Sequence, residues 1–168
     1  MSGEPPVILR MSLFYDLHED RIMIASKLAI GETALLKLTR RLLDNLIPHL
    51  LKVEAAMMTQ ISVSGGASDN LLGEPSEKSE EPVVIGSSFE DILVCSVDIS
   101  TSLDHIILDW KNDIDLKKAR LVLSAATLSE WLRAMRECFK RGAWSEAAWN
   151  SEPIPPAVLD ESRPITVH

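Results

Sequence analysis

The sequence predicts an α+β fold built from two tandem strand–strand–strand–helix units, packed as one antiparallel-sheet domain with both helices on one face. Three observations predict it. Short apolar segments alternate with turn signals, each third segment leads into a capped, leucine-rich amphipathic stretch, and the two halves match at one constant offset. Hydrophobic residues make up 46% of the 168-residue chain, which is enough apolar material for a single core.

The first unit is predicted at residues 1–60 and begins with three strands. β-Branched and aromatic residues mark the strands, and polar clusters such as DLHEDR mark the turns between them. The predicted strands are Val7–Tyr15, a second that begins at Ile22–Ile24, and Ala34–Leu38.

A helix follows the third strand. Thr39 is its predicted N-cap, because a threonine hydroxyl can accept a hydrogen bond from an unpaired N–H of the first helical turn. Pro48 lies inside the helix and predicts a kink or an early weakening there, since proline removes a hydrogen bond and clashes with the preceding turn. The apolar positions recur at helical spacing: Leu42, Leu43, Leu46, Ile47, Leu50 and Leu51.

The second unit is predicted at residues 83–142. Residues 61–82 precede it and are rich in Ser, Gly, Glu and Pro, which is typical of a flexible acidic linker. Ser124 is the predicted cap of a second helix that ends at Gly142. The predicted strands are Ile92–Ser100, His105–Trp110 and Ala119–Leu123, with Pro82–Gly86 as a further candidate. The helix stripe is Leu128, Trp131, Leu132, Met135, Cys138 and Phe139.

The two units align without a gap. Ala34 corresponds to Ala119, so the offset is 119 − 34 = 85 residues. Any two strand–helix junctions share alternating leucines before a capped helix, but that similarity alone does not place the upstream strands at the same offset. We therefore predict a structural repeat around a pseudo-twofold axis. The same offset aligns Leu9–Tyr15 with Val94–Ser100 and Ile22–Ser26 with Ile107–Lys111.

In outline, tandem strand-rich units that are each closed by a helix resemble the PUR and Whirly single-strand-binding folds. The resemblance is topological, and no motif of those families is found in the chain. It implies four strands per unit and a basic, aromatic sheet face that binds single-stranded nucleic acid. The chain departs from that pattern with a formal net charge of −8 and only eight aromatic residues, four Trp, three Phe and one Tyr.

No part of the chain is strongly basic. Residues 1–60 carry seven basic and seven acidic side chains, residues 61–89 one and five, and residues 90–168 nine and thirteen. This balance argues against nucleic acid as the partner. The N-terminal MSGEPPVILR lacks the apolar segment of a secretory signal, and no apolar run approaches the ~20 residues of a membrane span. We therefore expect a cytoplasmic protein without membrane contact.

No motif for catalysis, cofactor binding or metal binding is found. The sequence contains no GxGxxG, Walker A, GxSxG or HExxH pattern, and its four histidines are scattered. The sequence therefore predicts no cofactor and no metal. The acidic residues around His18 and at Asp109, Asp113 and Asp115 are interpreted as solvated hairpin turns. Cys95 and Cys138 are both predicted to be buried thiols.

Arg40 and Arg41 are a candidate site for an anion or an acidic partner. They lie at a helix start, where cations cost about 0.3–1 kcal/mol each unless an anion compensates them. The second unit has Ala125 and Ala126 in their places, so the fold itself does not demand arginine. The alternative is a salt bridge from Arg40 to Asp44 one helical turn later, or pairing of the arginines with the acidic second unit.

Trp144 and Trp149 are a candidate docking segment for a partner protein. They follow Gly142 in the predicted tail, residues 143–168, which is rich in aromatic residues and proline. The alternative is that this segment folds back and covers one of the helices.

Three functions remain open. The first is a non-enzymatic protein–protein interaction module, a subunit or accessory factor of a larger assembly, for which a homodimer is also compatible with the sequence. The second is a single-stranded nucleic-acid-binding protein of PUR- or Whirly-like topology. The third is an enzyme with an unrecognised site between the two halves.

Overall fold

The structure, a computed structural model, describes residues 3–63, 82–83, 89–150 and 164–168. In this part of the chain the fold is α+β, with two four-stranded sheets and two long helices. The helices are α1 (Arg40–Val63) and α2 (Ala125–Arg141), and a short 3₁₀ turn follows at Ala147–Trp149. The strands are β1 (Ile8–Asp16), β2 (Arg21–Leu28), β3 (Thr33–Leu38), β4 (Phe89–Val94), β5 (Ser96–Thr101), β6 (His105–Lys111), β7 (Lys117–Ser124) and β8 (Ile165–Val167).

The sheets differ from the single antiparallel sheet that the sequence predicts. The first has the order β1-β2-β3-β4 and the second β7-β6-β5-β8. Hairpin neighbours pair antiparallel, but β4 pairs parallel to β3, with Leu36 opposite Ile92. Parallel neighbours need a crossover connection. Here the connection contains α1, so the chain returns to the end of the sheet at which β3 begins before β4 starts.

A β-bulge links the two sheets. The Cys95 N–H donates a 2.9 Å hydrogen bond to the Lys111 carbonyl, and Ser96 is also opposite Lys111, so two residues face one. A bulge of this kind bends a strand and increases its twist, and here it separates β4 from β5. The predicted strand Ile92–Ser100 is therefore two strands. The sheets also meet where Val7 pairs in parallel with Arg120.

One row of residues in each sheet points into the core. In the first sheet the row is Leu13, Ile24 and Leu36, and in the second it is Ile99, Leu108 and Leu121. Both helices add their apolar stripes to the same cluster. The predicted stripes are confirmed as buried except Leu51, which is partly buried.

Both predicted helix caps are present. The Leu42 N–H donates to Thr39 Oγ1 at 3.3 Å, and the Thr127 N–H donates to Ser124 Oγ at 3.3 Å. Gly142 ends α2 and donates its N–H to the Cys138 carbonyl at 3.0 Å. The helices contact each other where the Ser129 hydroxyl donates to Glu54.

The expected early weakening at Pro48 does not occur. The α1 helix passes through Pro48 and ends only at Val63, three residues into the segment predicted as linker. The buried stripe continues beyond the proline to Val53 and Met57, so tertiary packing stabilises the second half of the helix. Neither helix of the described residues is long and apolar enough to cross a membrane.

Several predictions fall on parts of the chain that lie outside the described residues. These are most of the linker at residues 61–82, most of the strand candidate Pro82–Gly86, and residues 151–163 of the tail. At the edge of this region the Val83 N–H donates a 3.0 Å hydrogen bond to Ser12 Oγ on β1.

Candidate functional site

Arg40 is the first residue of α1 and contacts the C-terminal segment. Its guanidinium carbon lies 6.0 Å from the centre of the Trp144 ring, and its Nε is 4.0 Å from a carboxylate oxygen of Asp44. Two residues that the sequence singles out separately, Arg40 and Trp144, are thus brought together. Arg41 is exposed and has no ion partner among the residues that the structure describes.

Trp144 is buried against the body of the protein, with 5% of its surface exposed. Its ring makes edge-to-face contacts with Tyr15 at 5.9 Å and with Phe139 at 5.2 Å between ring centres. Ala143 turns the chain back toward the sheet with a φ of 50°. Trp144 therefore folds back onto the body of the protein. Docking of a partner protein at Trp144 stays a prediction.

Asp20 fixes the edge of the Trp144 ring. Its Oδ1 accepts a 2.6 Å hydrogen bond from the Tyr15 hydroxyl and a 2.8 Å bond from the Trp144 indole N–H. The bond from Tyr15, followed by that from Trp144, holds the pKa of the Asp20 carboxyl below its usual value, and the nearby charge of Arg40 adds to this. The carboxylate at this corner thus attracts Arg40 electrostatically, and Asp44 is the ion partner of Arg40.

Trp149 also contacts Phe139 edge-to-face, with 5.5 Å between the two ring centres. The Arg136 guanidinium carbon is 5.8 Å from the Trp149 ring, and Arg136 also pairs with Glu146 at 3.0 Å. Two arginines thus cover one connected set of rings. We call this set the aromatic cluster and define it as Tyr15, Phe139, Trp144 and Trp149.

A second group of polar side chains lies on the outer face of the second sheet. Asp98 on β5 and Asp109 on β6 are directly opposite each other in the ladder, and both are buried. Like charges in this position repel unless cations balance them. Three cations do so, and we call the five residues the charged network: Asp98, Asp109, Lys111, Lys117 and Arg120.

The ion pairs of the charged network are short. Arg120 donates to both oxygens of Asp109, at 2.7 Å and 3.0 Å, and Lys117 donates to the same carboxylate at 2.8 Å. Lys111 lies 2.9 Å from Asp98 and also pairs with Asp115.

All pKa shifts in the network favour the charged forms. Burial by itself raises the pKa of Asp109, but the hydrogen bonds from Arg120 and Lys117 outweigh it and hold that pKa below its usual value. Burial lowers the pKa of Lys111, but the bonds to Asp115 and Asp98 outweigh it and raise that pKa. These groups are fixed charges near neutral pH and are poorly suited to general acid–base catalysis.

This network is not among the sites that the sequence predicts. The sequence predicts Asp109 in a solvated turn, but Asp109 lies inside β6 and is 3% exposed, so that prediction is wrong. A signal was present, since Asp98 and Asp109 interrupt otherwise apolar strands. The described part of the chain holds no group of three or more His, Cys, Asp or Glu side chains that could bind a metal.

The prediction of two buried thiols holds for one of them. Cys138 is buried within α2, and burial raises the pKa of its thiol. Cys95 is exposed because it lies in the bulge between β4 and β5. The prediction for Cys95 is therefore wrong, and the reason is a local strand irregularity that alternation of apolar residues does not reveal.

The last described strand, β8, is held by both the network and α1. The Thr166 hydroxyl donates a 2.6 Å hydrogen bond to Asp98 Oδ1. The Asn45 side-chain amide donates a 2.9 Å bond to the carbonyl of His168. The β8 strand thus lies along the edge of β5, with its end tied to α1.

Comparisons with protein-family models, with curated proteins and with solved structures found no match. The contacts of this chain's own residues therefore carry the functional proposal.

Proposed function

We propose that this chain is a non-enzymatic protein–protein interaction module, a cytoplasmic subunit or accessory factor of a larger assembly. One observation carries the proposal. Arg40 and Arg136 lie over rings of the aromatic cluster with 49% and 45% of their side chains exposed. Arginine and tryptophan are the residue types most enriched among the energetically dominant residues of protein interfaces.

The arginines rest on a rigid support. The aromatic cluster is anchored by Asp20 and packed on the core, so the guanidinium groups above it lose little further freedom on binding. Arg41 adds a cation next to Arg40, with no ion partner among the described residues. A carboxylate-bearing segment of a partner protein fits this chemistry, because guanidinium groups bind carboxylates with two parallel hydrogen bonds.

The negative charge of the chain does not oppose an acidic partner at this surface. The described residues carry 15 basic and 17 acidic side chains, a sum of −2, whereas the whole chain has −8. The remaining −6 belongs to residues 64–81, with one basic and five acidic side chains, and to residues 151–163, with one and three. The body that presents Arg40, Arg41 and Arg136 is nearly neutral.

We also propose that the two halves are a structural repeat, with small shifts between strands. Matching the rows that point into the core pairs Leu13 with Ile99, Ile24 with Leu108 and Leu36 with Leu121. The offsets are 99 − 13 = 86, 108 − 24 = 84 and 121 − 36 = 85. The ungapped offset of 85 would instead place the core residue Ile24 on Asp109, whose side chain points outward. The repeat therefore needs turns that differ in length by one or two residues.

The interaction proposal is tested by replacing Arg40 and Arg41 with alanine, as the second unit has. The tagged full-length chain and the double variant are used to capture partners from native cells, followed by mass spectrometry. A protein captured by the wild type and lost with the variant supports the proposal. The matched control is Lys52→Ala, an exposed cation farther along α1, which should capture the same protein.

If the double variant captures the same proteins in the same amounts as the wild type, the arginine surface is not the docking site. The nucleic-acid alternative is tested on the same purified chain. Binding of single-stranded oligonucleotides that weakens as salt increases would favour that alternative over a protein partner. The three cations on the outer face of the second sheet are already paired with Asp98 and Asp109, which argues against a phosphate-binding surface there.

A further inference from the structure

One row of directly opposed residues crosses the outer face of the second sheet. Thr166 on β8 lies opposite Asp98 on β5, and Asp98 lies opposite Asp109 on β6. Asp109 in turn lies opposite Arg120 on β7, which pairs with Val7 just before β1. We call Thr166, Asp98, Asp109 and Arg120 the polar row. It joins two segments that flank the sheet on opposite sides, about 19 Å apart across four strand spacings.

At one end of the polar row, a charged acceptor holds β8. The Thr166 hydroxyl donates a 2.6 Å hydrogen bond to Asp98 Oδ1. Ile165 and Thr166 are both exposed, so burial of side chains contributes little to the docking of β8. A hydrogen bond to a charged group is stronger than one between neutral groups, and the bond to Asp98 is therefore a main contact of this strand.

At the other end of the polar row, Arg120 holds residues 4–7. Its backbone N–H donates a 2.8 Å hydrogen bond to the Pro6 carbonyl, and its Nη1 lies 3.5 Å from a carboxylate oxygen of Glu4. Its Nε and Nη2 donate to the two oxygens of Asp109 at 2.7 Å and 3.0 Å. This bidentate contact fixes the plane of the guanidinium group, so Asp109 positions the group that binds Glu4.

Lys117 connects the two ends of the polar row. Its Nζ lies 2.8 Å from a carboxylate oxygen of Asp109 and 3.5 Å from one of Asp98. The two aspartates are 3% and 9% exposed, so water screens these contacts little. Side chains in a buried polar network order one another, because each group that is fixed lowers the entropic cost of fixing its neighbour.

We propose that the polar row and Lys117 form a coupling device, through which β8 and residues 4–7 dock on the second sheet cooperatively and loosen together. When β8 leaves, Asp98 loses its hydroxyl donor, Lys117 is less firmly placed, and Asp109 orders Arg120 less well. Coupling between two sites is reciprocal, so loosening of residues 4–7 weakens the docking of β8 to the same extent. This inference is independent of the proposed function, because it involves neither Arg40 nor Arg41.

Amide hydrogen exchange, measured by NMR on the folded full-length chain, tests the coupling. Thr166→Val nearly keeps the shape of the side chain and removes the hydrogen bond to Asp98. The Arg120 N–H reports on residues 4–7, because it binds the Pro6 carbonyl. Thr166→Val should accelerate the exchange of the β8 amides and also that of the Arg120 N–H, each by at least ~3-fold, since members of one network are coupled by about this factor or more.

Lys117→Met removes the link between the two ends of the polar row. The Lys117 side chain is 41% exposed, so its replacement does not open the core. In the Lys117→Met chain, Thr166→Val should still accelerate the β8 amides but should accelerate the Arg120 N–H by less than ~1.5-fold. The matched control is Thr59→Val, an exposed threonine on α1 whose hydroxyl donates to the Ala55 carbonyl, and it should leave both rates unchanged.

Three results would overturn the proposal. The first is an Arg120 N–H that exchanges at the wild-type rate in Thr166→Val, whether or not the β8 amides accelerate. The second is an equal acceleration of all amides, including those of β2, because that result reports a loss of global stability. The third is an effect of Thr166→Val on the Arg120 N–H that persists in full in the Lys117→Met chain, since Lys117 would then not be the link.

Discussion

The indole N–H of Trp144 donates a 2.8 Å hydrogen bond to Oδ1 of Asp20, a residue 124 positions earlier in the chain. This bond ties the segment after α2 to the first hairpin turn. Asp20 has a φ of 49°, which places it in the left-handed region that a turn can require. The bond therefore joins two turns that local sequence signals treat as independent.

Replacing Trp144 with alanine should destabilise the protein by about 3–5 kcal/mol, because the change removes a large buried side chain and leaves a cavity. Trp144→Phe should cost less, since a single ring fills much of the same space and the variant loses the hydrogen bond and part of the buried volume. Urea unfolding followed by circular dichroism measures both changes. The matched control is Trp149→Phe, because the Trp149 N–H has no partner among the described residues. Equal losses for the two phenylalanine variants would contradict a role for the bond to Asp20.

Lowering the pH should lower the free energy of unfolding, because the aspartates of the charged network become protonated. The folded pKa of Asp109 is depressed, so its stabilising contribution is complete above the ordinary aspartate pKa of about 4 and is lost as the pH falls through the folded value. Asp109→Asn should lower the free energy of unfolding at pH 7 by about 3 kcal/mol, because it leaves Arg120 and Lys117 without this partner. The free energy of unfolding of Asp109→Asn should also change less than that of the wild type between about pH 5 and about pH 3. This interval spans the ordinary aspartate pKa of about 4.

Chemical denaturation at a series of pH values measures this difference. Asp104→Asn is the control, since Asp104 is exposed in the β5–β6 turn. This substitution should change neither the stability nor its pH dependence appreciably. A variant at Asp109 with the same pH profile as the wild type would exclude the network as a source of acid sensitivity.

Pro48→Ala should stabilise the protein. Proline in a helix interior costs about 3 kcal/mol relative to alanine, and the greater freedom of alanine in the unfolded chain returns up to about 1 kcal/mol of this, which leaves about 2 kcal/mol. Thermal unfolding should show a higher midpoint. Pro82→Ala, outside any helix, is the control and should give no increase. An unchanged unfolding midpoint for Pro48→Ala would mean that packing around α1 compensates the cost of the proline.

The two cysteines should differ in reactivity. Cys95 is exposed in the bulge, and Cys138 is buried with a raised thiol pKa, so a thiol reagent near neutral pH should modify one thiol in the folded chain and two after unfolding. Mass spectrometry counts the added groups. Cys95→Ser should abolish labelling of the folded chain, and rapid labelling that persists in this variant would contradict the burial of Cys138.

Much of the local structure was predictable. The caps at Thr39 and Ser124 follow from hydroxyl side chains placed before leucine-rich stripes, and the structure confirms both. The end of α2 at Gly142 is also confirmed. These features depend on hydrogen bonds and side-chain spacing within a few residues of the chain, so a local pattern is sufficient to predict them.

The contacts at the candidate sites were not predictable in the same way. Arg40 and Trp144 were each identified, but nothing in the sequence indicates that one lies over the other. The charged network was missed because Asp98 and Asp109 meet only through the pairing of β5 with β6, and Arg120 joins them through β7. A single aspartate in an apolar strand does not show which cations will surround it.

The sequence by itself determined the two helices, their apolar faces and most of the strands, but not β8 or the division between β4 and β5. It did so because periodicity and capping act over short distances. Only the tertiary structure decided the parallel pairing of β3 with β4, the bulge at Cys95 and the contact of Arg40 with Trp144. Those features join residues far apart in the chain, and their free energies depend on how two sheets and two helices share one core.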